Sequence, residues 1–245
     1  MKTKYSFWTR IGLFCVILLF GCVQSENYKT GFELTQNNRW DDAIAYFEKA
    51  VQEDPGNQEY KDALAKARQV SARSRYEKAR QAASAAAEPT VPVLERISKD
   101  ADAASKLDPS NKDIRSFSEG LKTKVATLQS RVKTLYGQAE TDLQKEDWAA
   151  ATAKLREVNK LYPGYEDAGN RLNKAEQEGA KILYQQGIAL GKQEDWKMAA
   201  SSFKAAMDIN PKYFDVAKLY EAAKAKDTPD YFLKEADKAE KAQSW

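Results

Sequence analysis

The chain has 245 residues, 31% of them charged, and its hydrophobic share of 42% comes largely from alanine, with only 11 glycines and 7 prolines. That profile favours helices over sheets. Histidine is absent, which removes the commonest general base, the usual pH switch and the commonest metal ligand together.

The first residues read as a targeting segment. Lys2, Lys4 and Arg10 supply positive charge, and Ile11 to Phe20 form an apolar run of ten residues, well short of the roughly 20 that span a bilayer core. Cys15 and Cys22 are the two cysteines, and both lie in this stretch, so neither a disulfide framework nor a zinc site is available. Leu19-Phe20-Gly21-Cys22 resembles a bacterial lipobox, with an aliphatic residue three places before the cysteine and a small one directly before it. The resemblance implies a signal peptide over 1–21 that is cleaved off, a Cys22 carrying lipid on its thiol and its new amino group, and a short tether over 22–25. Two or more acyl chains hold a protein stably at a bilayer. Val23, Gln24 and Ser25 reach roughly 10 Å, which keeps the first helix close to the membrane. Val23 is not the aspartate that retains such lipoproteins at the inner membrane. The expected location is therefore the periplasmic face of the outer membrane in a diderm, or the outer face of the single membrane in a monoderm.

Removal of the signal changes the charge. Three of the 39 basic residues precede residue 22 and none of the 36 acidic ones does, leaving 36 of each sign. A balanced chain offers no electrostatic case for nucleic acid.

From Glu26 onward the sequence repeats. Trp40, Ala43, Phe47, Ala50 and Pro55 share their spacing with Trp148, Ala151, Leu155, Val158 and Pro163, and with Trp196, Ala199, Phe203, Ala206 and Pro211. Leu94, Ile97, Ala101, Ala104 and Pro109 give a degenerate copy, second in chain order, in which Pro89 and Pro92 interrupt the expected hairpin. Steps of three and four place these side chains on one helical face. Each copy carries an acid four residues past its proline, Glu59, Asp113, Asp167 or Asp215, which suits the first turn of a following helix.

This small, bulky, small series ending in proline resembles the second helix of a tetratricopeptide repeat. Gly31 and Gly187, twelve residues before Ala43 and Ala199, and Ala139 in the third copy stand where that family keeps a small residue for close helix packing. The resemblance implies an all-α fold, a solenoid of stacked helical hairpins over 26–228. The prolines, however, lie 54, 54 and 48 residues apart, against about 34 in the family. The additional residues, as in Asn111 to Lys145, predict long helices or a third helix per unit. Thr228 as N-cap and Pro229 at the first helical position open a last helix, 229–245, rich in lysine and glutamate and expected to cap the final repeat.

No phosphate loop, nucleophile elbow, paired-histidine motif or calcium loop occurs, so neither an enzyme nor a cofactor or metal site is expected. A carboxylate pair acting on peptidoglycan has no lysozyme-like domain to support it. The dense lysine and glutamate alternation reads as a solvated face. Tyr28, Tyr136 and Tyr184 share one repeat position, 27 residues before each proline, with Lys133 and Lys181 three residues earlier in two copies. In the tetratricopeptide family that position faces the concave groove, and tyrosine suits protein recognition there; the other reading makes these tyrosines packing residues between hairpins. Trp40, Trp148 and Trp196 read as structural pegs at the turn. The partners expected are other envelope proteins and, through the lipid, the membrane. A scaffold in an envelope complex is the first expectation, and a ligand- or substrate-relay subunit docking on a periplasmic binding protein or transporter the second.

Overall fold

In a computed structural model, which describes residues 24–243, the chain forms ten α-helices and no strand among those residues. In order they are α1 (Glu26–Gln36), α2 (Trp40–Glu53), α3 (Gln58–Ala85), α4 (Val91–Leu107), α5 (Lys112–Gln144), α6 (Trp148–Leu161), α7 (Ala168–Lys192), α8 (Trp196–Ile209), α9 (Val216–Lys226) and α10 (Pro229–Gln243). The expected signal segment, Cys15 and Cys22 lie outside the described residues. The three tryptophans open α2, α6 and α8, and each aligned proline follows a helix end, since proline cannot continue the ladder. The extra residues between repeats become long helices: α3 has 28 residues, α5 has 33 and α7 has 25.

Two compact units share the described chain: 24–82 with 99–119, and 83–98 with 120–243. In the first, α1 packs on α2 and both pack on α3 through Tyr28, Ala43, Phe47, Ala50, Tyr60 and Ala67. A Cβ on Gly31 would lie 2.8 Å from the Phe47 ring, so only glycine lets α1 approach α2 this closely. Asp41 accepts hydrogen bonds from Ser71 Oγ and, at 3.0 Å, from Arg75 Nη2. Burial pushes this carboxyl up, but the two donors prevail and hold it below its ordinary value. Ala72, Ala104 and Ile114 form a second cluster, beside which Tyr76 meets Phe117 edge to face at 5.3 Å.

The second unit repeats the scheme. One core gathers Val91, Val132, Ala139, Leu155, Val158, Ala168 and Ala175, and another gathers Ala199, Phe203, Ala206, Val216 and Ala223. Here α6 packs on α7, α7 on α8 and α8 on α9. A Cβ on Gly187 would lie 2.6 Å from the Phe203 ring, and one on Gly179 would lie 2.5 Å from Trp148 Cβ. Arg156 of α6 ties successive repeats together. It pairs with Glu176 at 2.7 Å and donates to the carbonyls of Asp208, at 3.3 Å, and Ile209, near the end of α8. Those carbonyls have no partner within their own helix.

Three turns share one design. Arg39 N–H donates to Leu34 O at 2.9 Å, Asp147 N–H to Asp142 O at 2.9 Å and Asp195 N–H to Leu190 O at 3.1 Å. The residue before each donor is left-handed: Asn38 at φ 57°, Glu146 at 58° and Glu194 at 62°. This is the six-to-one closure that ends a helix on a left-handed residue, usually glycine. Asp147 and Asp195 then cap the next helix, accepting at 3.1 Å from Ala150 N–H and Met198 N–H.

At the chain's end, Thr228 Oγ1 accepts from Tyr231 N–H at 3.3 Å and so caps α10. Tyr231 packs edge-on to Trp196 at 6.2 Å, while residues 232–242 are exposed.

Ala43 and Ala199 are fully buried. Ala43→Leu or Ala199→Leu will cost about 1 to 3 kcal/mol by overpacking, read as a lower midpoint in urea; two unchanged midpoints would refute the packing scheme. Glu194→Gly will act oppositely and add about 0.5 to 1 kcal/mol, because glycine removes the strain of a left-handed side chain yet gives back part of the gain as chain entropy. Chemical denaturation of that variant checks the sign.

Candidate functional site

The three equivalent tyrosines do the same thing. Tyr28 Oη donates to Glu59 at 2.8 Å, Tyr184 Oη to Asp215 at 2.8 Å, and Tyr136 Oη to Asp167. Each acceptor is the acid four residues past the repeat proline, 31 residues beyond its tyrosine. The acids therefore do more than meet a helix dipole: each fixes a phenol from the preceding hairpin. Asp167 and Asp215 sit at the N-caps of α7 and α9 but make no side-chain cap bond there.

Their surroundings differ. Tyr28 is only 8% exposed, stacked on Tyr60 at 4.7 Å and against Phe47 at 5.7 Å. Tyr136 and Tyr184 are half-buried. Arg171 lies over the Tyr136 ring at 5.4 Å and pairs with Asp167 at 2.7 Å and Glu140 at 3.1 Å. Lys133 and Lys181, each three residues before its tyrosine on α5 or α7, are exposed, and Lys181 has only a loose contact to Glu178 at 3.9 Å. Tyr136 and Tyr184 thus combine a packing role with an accessible edge, whereas Tyr28 belongs to the core.

The electrostatics follow from these contacts. Burial first, then the bond to Glu59 and its charge, push the Tyr28 phenol up to about 12. Burial and the bond to Asp167 push Tyr136 up to about 12 as well. The bond to Asp215, then burial, raise Tyr184. Hydrogen bonds from Tyr136 and then Arg171 hold the Asp167 carboxyl below its ordinary value.

Beside Tyr184 lies an aromatic cluster that the repeat pattern did not single out. Tyr213 meets Tyr184 at 5.6 Å, and Phe214 lies 4.8 Å from Tyr213 and 6.0 Å from Tyr184. Phe214 is 80% exposed and left-handed at φ 44°, an uncommon backbone state for a bulky residue. In the third copy the equivalent left-handed residue is Glu166 at φ 45°. The turn imposes the backbone, and the fourth copy places an aromatic ring on it. Phe214, Tyr213 and Lys212 line a cavity of about 380 Å³ with Glu176, Gln177 and Asn210. A second cavity of about 430 Å³ runs along α1 at Tyr28, Phe32 and Glu59. The signal for the cluster was the dipeptide Tyr213-Phe214 after a proline, but its exposure depends on the turn.

The tryptophans are half-buried at the starts of their helices, and Trp148 and Trp196 each line a cavity. No group of three or more acidic or cysteine side chains among the described residues could hold a metal ion. No described helix is long and apolar enough to cross a membrane. Compared with known proteins, the chain matches no family model and no curated protein.

The raised Tyr28 phenol sets a pH response. In the fold it stays protonated to about 12, whereas it ionises at 10.0 once unfolded. Its stabilising contribution is therefore complete below pH 10 and is lost as pH rises through the folded value. Urea midpoints measured across this range will fall with pH, and Tyr28→Phe will flatten that fall; an unaltered slope would contradict the assignment.

Proposed function

We propose that the chain is a lipid-anchored helical-repeat scaffold of the bacterial cell envelope, which holds other envelope proteins and is not an enzyme. Two hairpins that each bury a phenylalanine ring against a glycine, and the successive packing of α6, α7, α8 and α9 within the second unit, support the resemblance to tetratricopeptide repeats. Such arrays stack neighbour on neighbour and present extended surface to partners.

The observation that carries the reading is the cluster at Tyr184, Tyr213 and Phe214, where an 80% exposed ring is held out by a left-handed turn. Aromatic side chains dominate the energetics of protein recognition because they bring large contact area with few rotors to freeze. The partner-binding groove comprises the exposed edges of Tyr136 and Tyr184 with Lys133 and Lys181. Tyr28 belongs to the same repeat position but contributes mainly through packing. Cys22 supplies the anchor, and the short tether holds α1 close to the lipid surface, with the periplasmic face of the outer membrane favoured in a diderm.

Two measurements test this. Cys22→Ser will leave the precursor unprocessed and release the protein from membranes; retention of processing and membrane binding would remove the tether from the proposal. Phe214→Ser, which removes an exposed ring that carries no polar atom, will keep the helicity and weaken a cross-linked envelope partner by about 2 kcal/mol, roughly thirtyfold in Kd. If it and Lys133→Glu with Lys181→Glu both leave the set of cross-linked partners unchanged, the groove is not the binding surface.

A further inference from the structure

The first copy ties the start of its opening helix to the turn that follows its second. Ser25, the residue before α1, donates its N–H to Tyr60 Oη at 2.9 Å and its hydroxyl to the Glu53 carboxylate. Asn27 Nδ2 reaches the same carboxylate at 2.5 Å. Ser25 Oγ also accepts from Tyr28 N–H at 3.3 Å and so caps α1. The clasp has a firm base, because Tyr60 is 5% exposed, stacks on Tyr28 and has its own N–H held by Asn57 Oδ1 at 3.3 Å. The start of α1, the end of α2 and the start of α3 therefore meet at one end of the first unit.

The third and fourth copies are built differently at these places. They carry Leu161 and Ala168, or Ile209 and Val216, where the first copy has Glu53 and Tyr60. Their long helices α5 and α7 also run straight through the position of Ser25. A polar clasp thus occurs where the chain comes in from Cys22 and is missing from these two copies.

We propose that this end of the first unit is its lipid-facing surface: the start of α1 and the turn at residues 54–57 lie against the headgroup layer, and α1 rises from it toward its turn with α2. This rests on the tether of the proposed function and adds which face the tether presents. From Cys22 to Ser25 the chain takes three peptide steps, roughly 10 Å when fully extended. A terminus that is not tied down frays and would lengthen that reach, but the clasp ends the free chain at Ser25. The 11 residues of α1 span about 16 Å. With the α1–α2 turn on the leaflet, Ser25 would stand farther away than the tether allows. Ser25 sits among three helix termini and not on a flank, so the shortest path to the lipid leaves through that end.

The full-length lipidated chain, purified with its anchor and placed in phosphatidylcholine vesicles, provides the test. The Cys22 thiol is blocked by lipid and Cys15 leaves with the signal, so a thiol introduced by Gln58→Cys or Gln36→Cys alone takes up a fluorophore. Both positions are exposed, Gln58 at the start of α3 and Gln36 at the far end of α1. A headgroup spin-labelled lipid will quench the Gln58→Cys label about threefold more strongly than the Gln36→Cys label, a contrast set by the length of α1. Glu53→Ala with Tyr60→Phe removes both acceptors of Ser25 and keeps the buried ring. It will bring the contrast below about twofold by loosening the helix start, with flotation and helicity unchanged. Three results would each overturn the proposal: equal quenching, as a unit lying on its side gives; stronger quenching at Gln36→Cys; or a contrast that survives loss of the clasp in the folded variant. The first two are read in the otherwise unaltered chain and stand whether or not that variant folds. Flotation and the mass of the N-terminal peptide read the tether separately. A chain without lipid refutes the tether and this orientation together, whereas a lipidated, floating chain with no contrast refutes the orientation alone.

Discussion

The structure depends on how closely two helices can approach inside a hairpin. Phe47 and Phe203 each press a ring onto a glycine, with no room for a Cβ at 2.8 Å and 2.6 Å. Around each contact the alanines at positions 43, 50, 199 and 206 are fully buried. Ala139 and Leu155 fill the corresponding places in the third copy within one core. A large side chain against a vanishingly small one brings the backbones together and fixes the crossing. Close packing of this kind tolerates little change in volume, so the hairpin geometry is set at a few positions while the solvent face is free to vary.

A second interaction passes order from one hairpin to the next. The phenol of the first helix reaches the acid at the start of the helix after the hairpin, three times over. The bond ties the turn after the proline to the body of the preceding repeat, and its ring contributes to the core on one side. Arg156 adds a longer connection, reaching from α6 to the final carbonyls of α8. Cohesion therefore passes between neighbours in sequence, as in other repeat arrays.

Much of this was legible in the residues. The periodicity from Trp to Pro marked α2, α6 and α8, and the scarcity of proline between repeats announced α3, α5 and α7. The acids past the prolines were visible too, but a dipole argument accounts for them without a phenol 31 residues away, a contact that needs the fold to be seen. The left-handed turns were hidden for another reason. Asn38 is a residue that tolerates such a backbone, whereas Glu146 and Glu194 carry no signal for it. Phe214 was illegible for the same reason, since an aromatic residue after a proline and a tyrosine reads as core until the turn directs it outward. Cys22 and the segment before it rest on sequence alone.

The last helix carries a further consequence. Tyr231 seats α10 against Trp196, and the residues from 232 to 242 stand in solvent. A helix held at one end is the first to fray and the first that a protease can engage. Cleavage after Lys226 would detach the ring that leans on Trp196 while leaving the hairpins before it intact. A trimmed and an untrimmed form of this chain would thus share one framework and differ in how open that indole is to its surroundings.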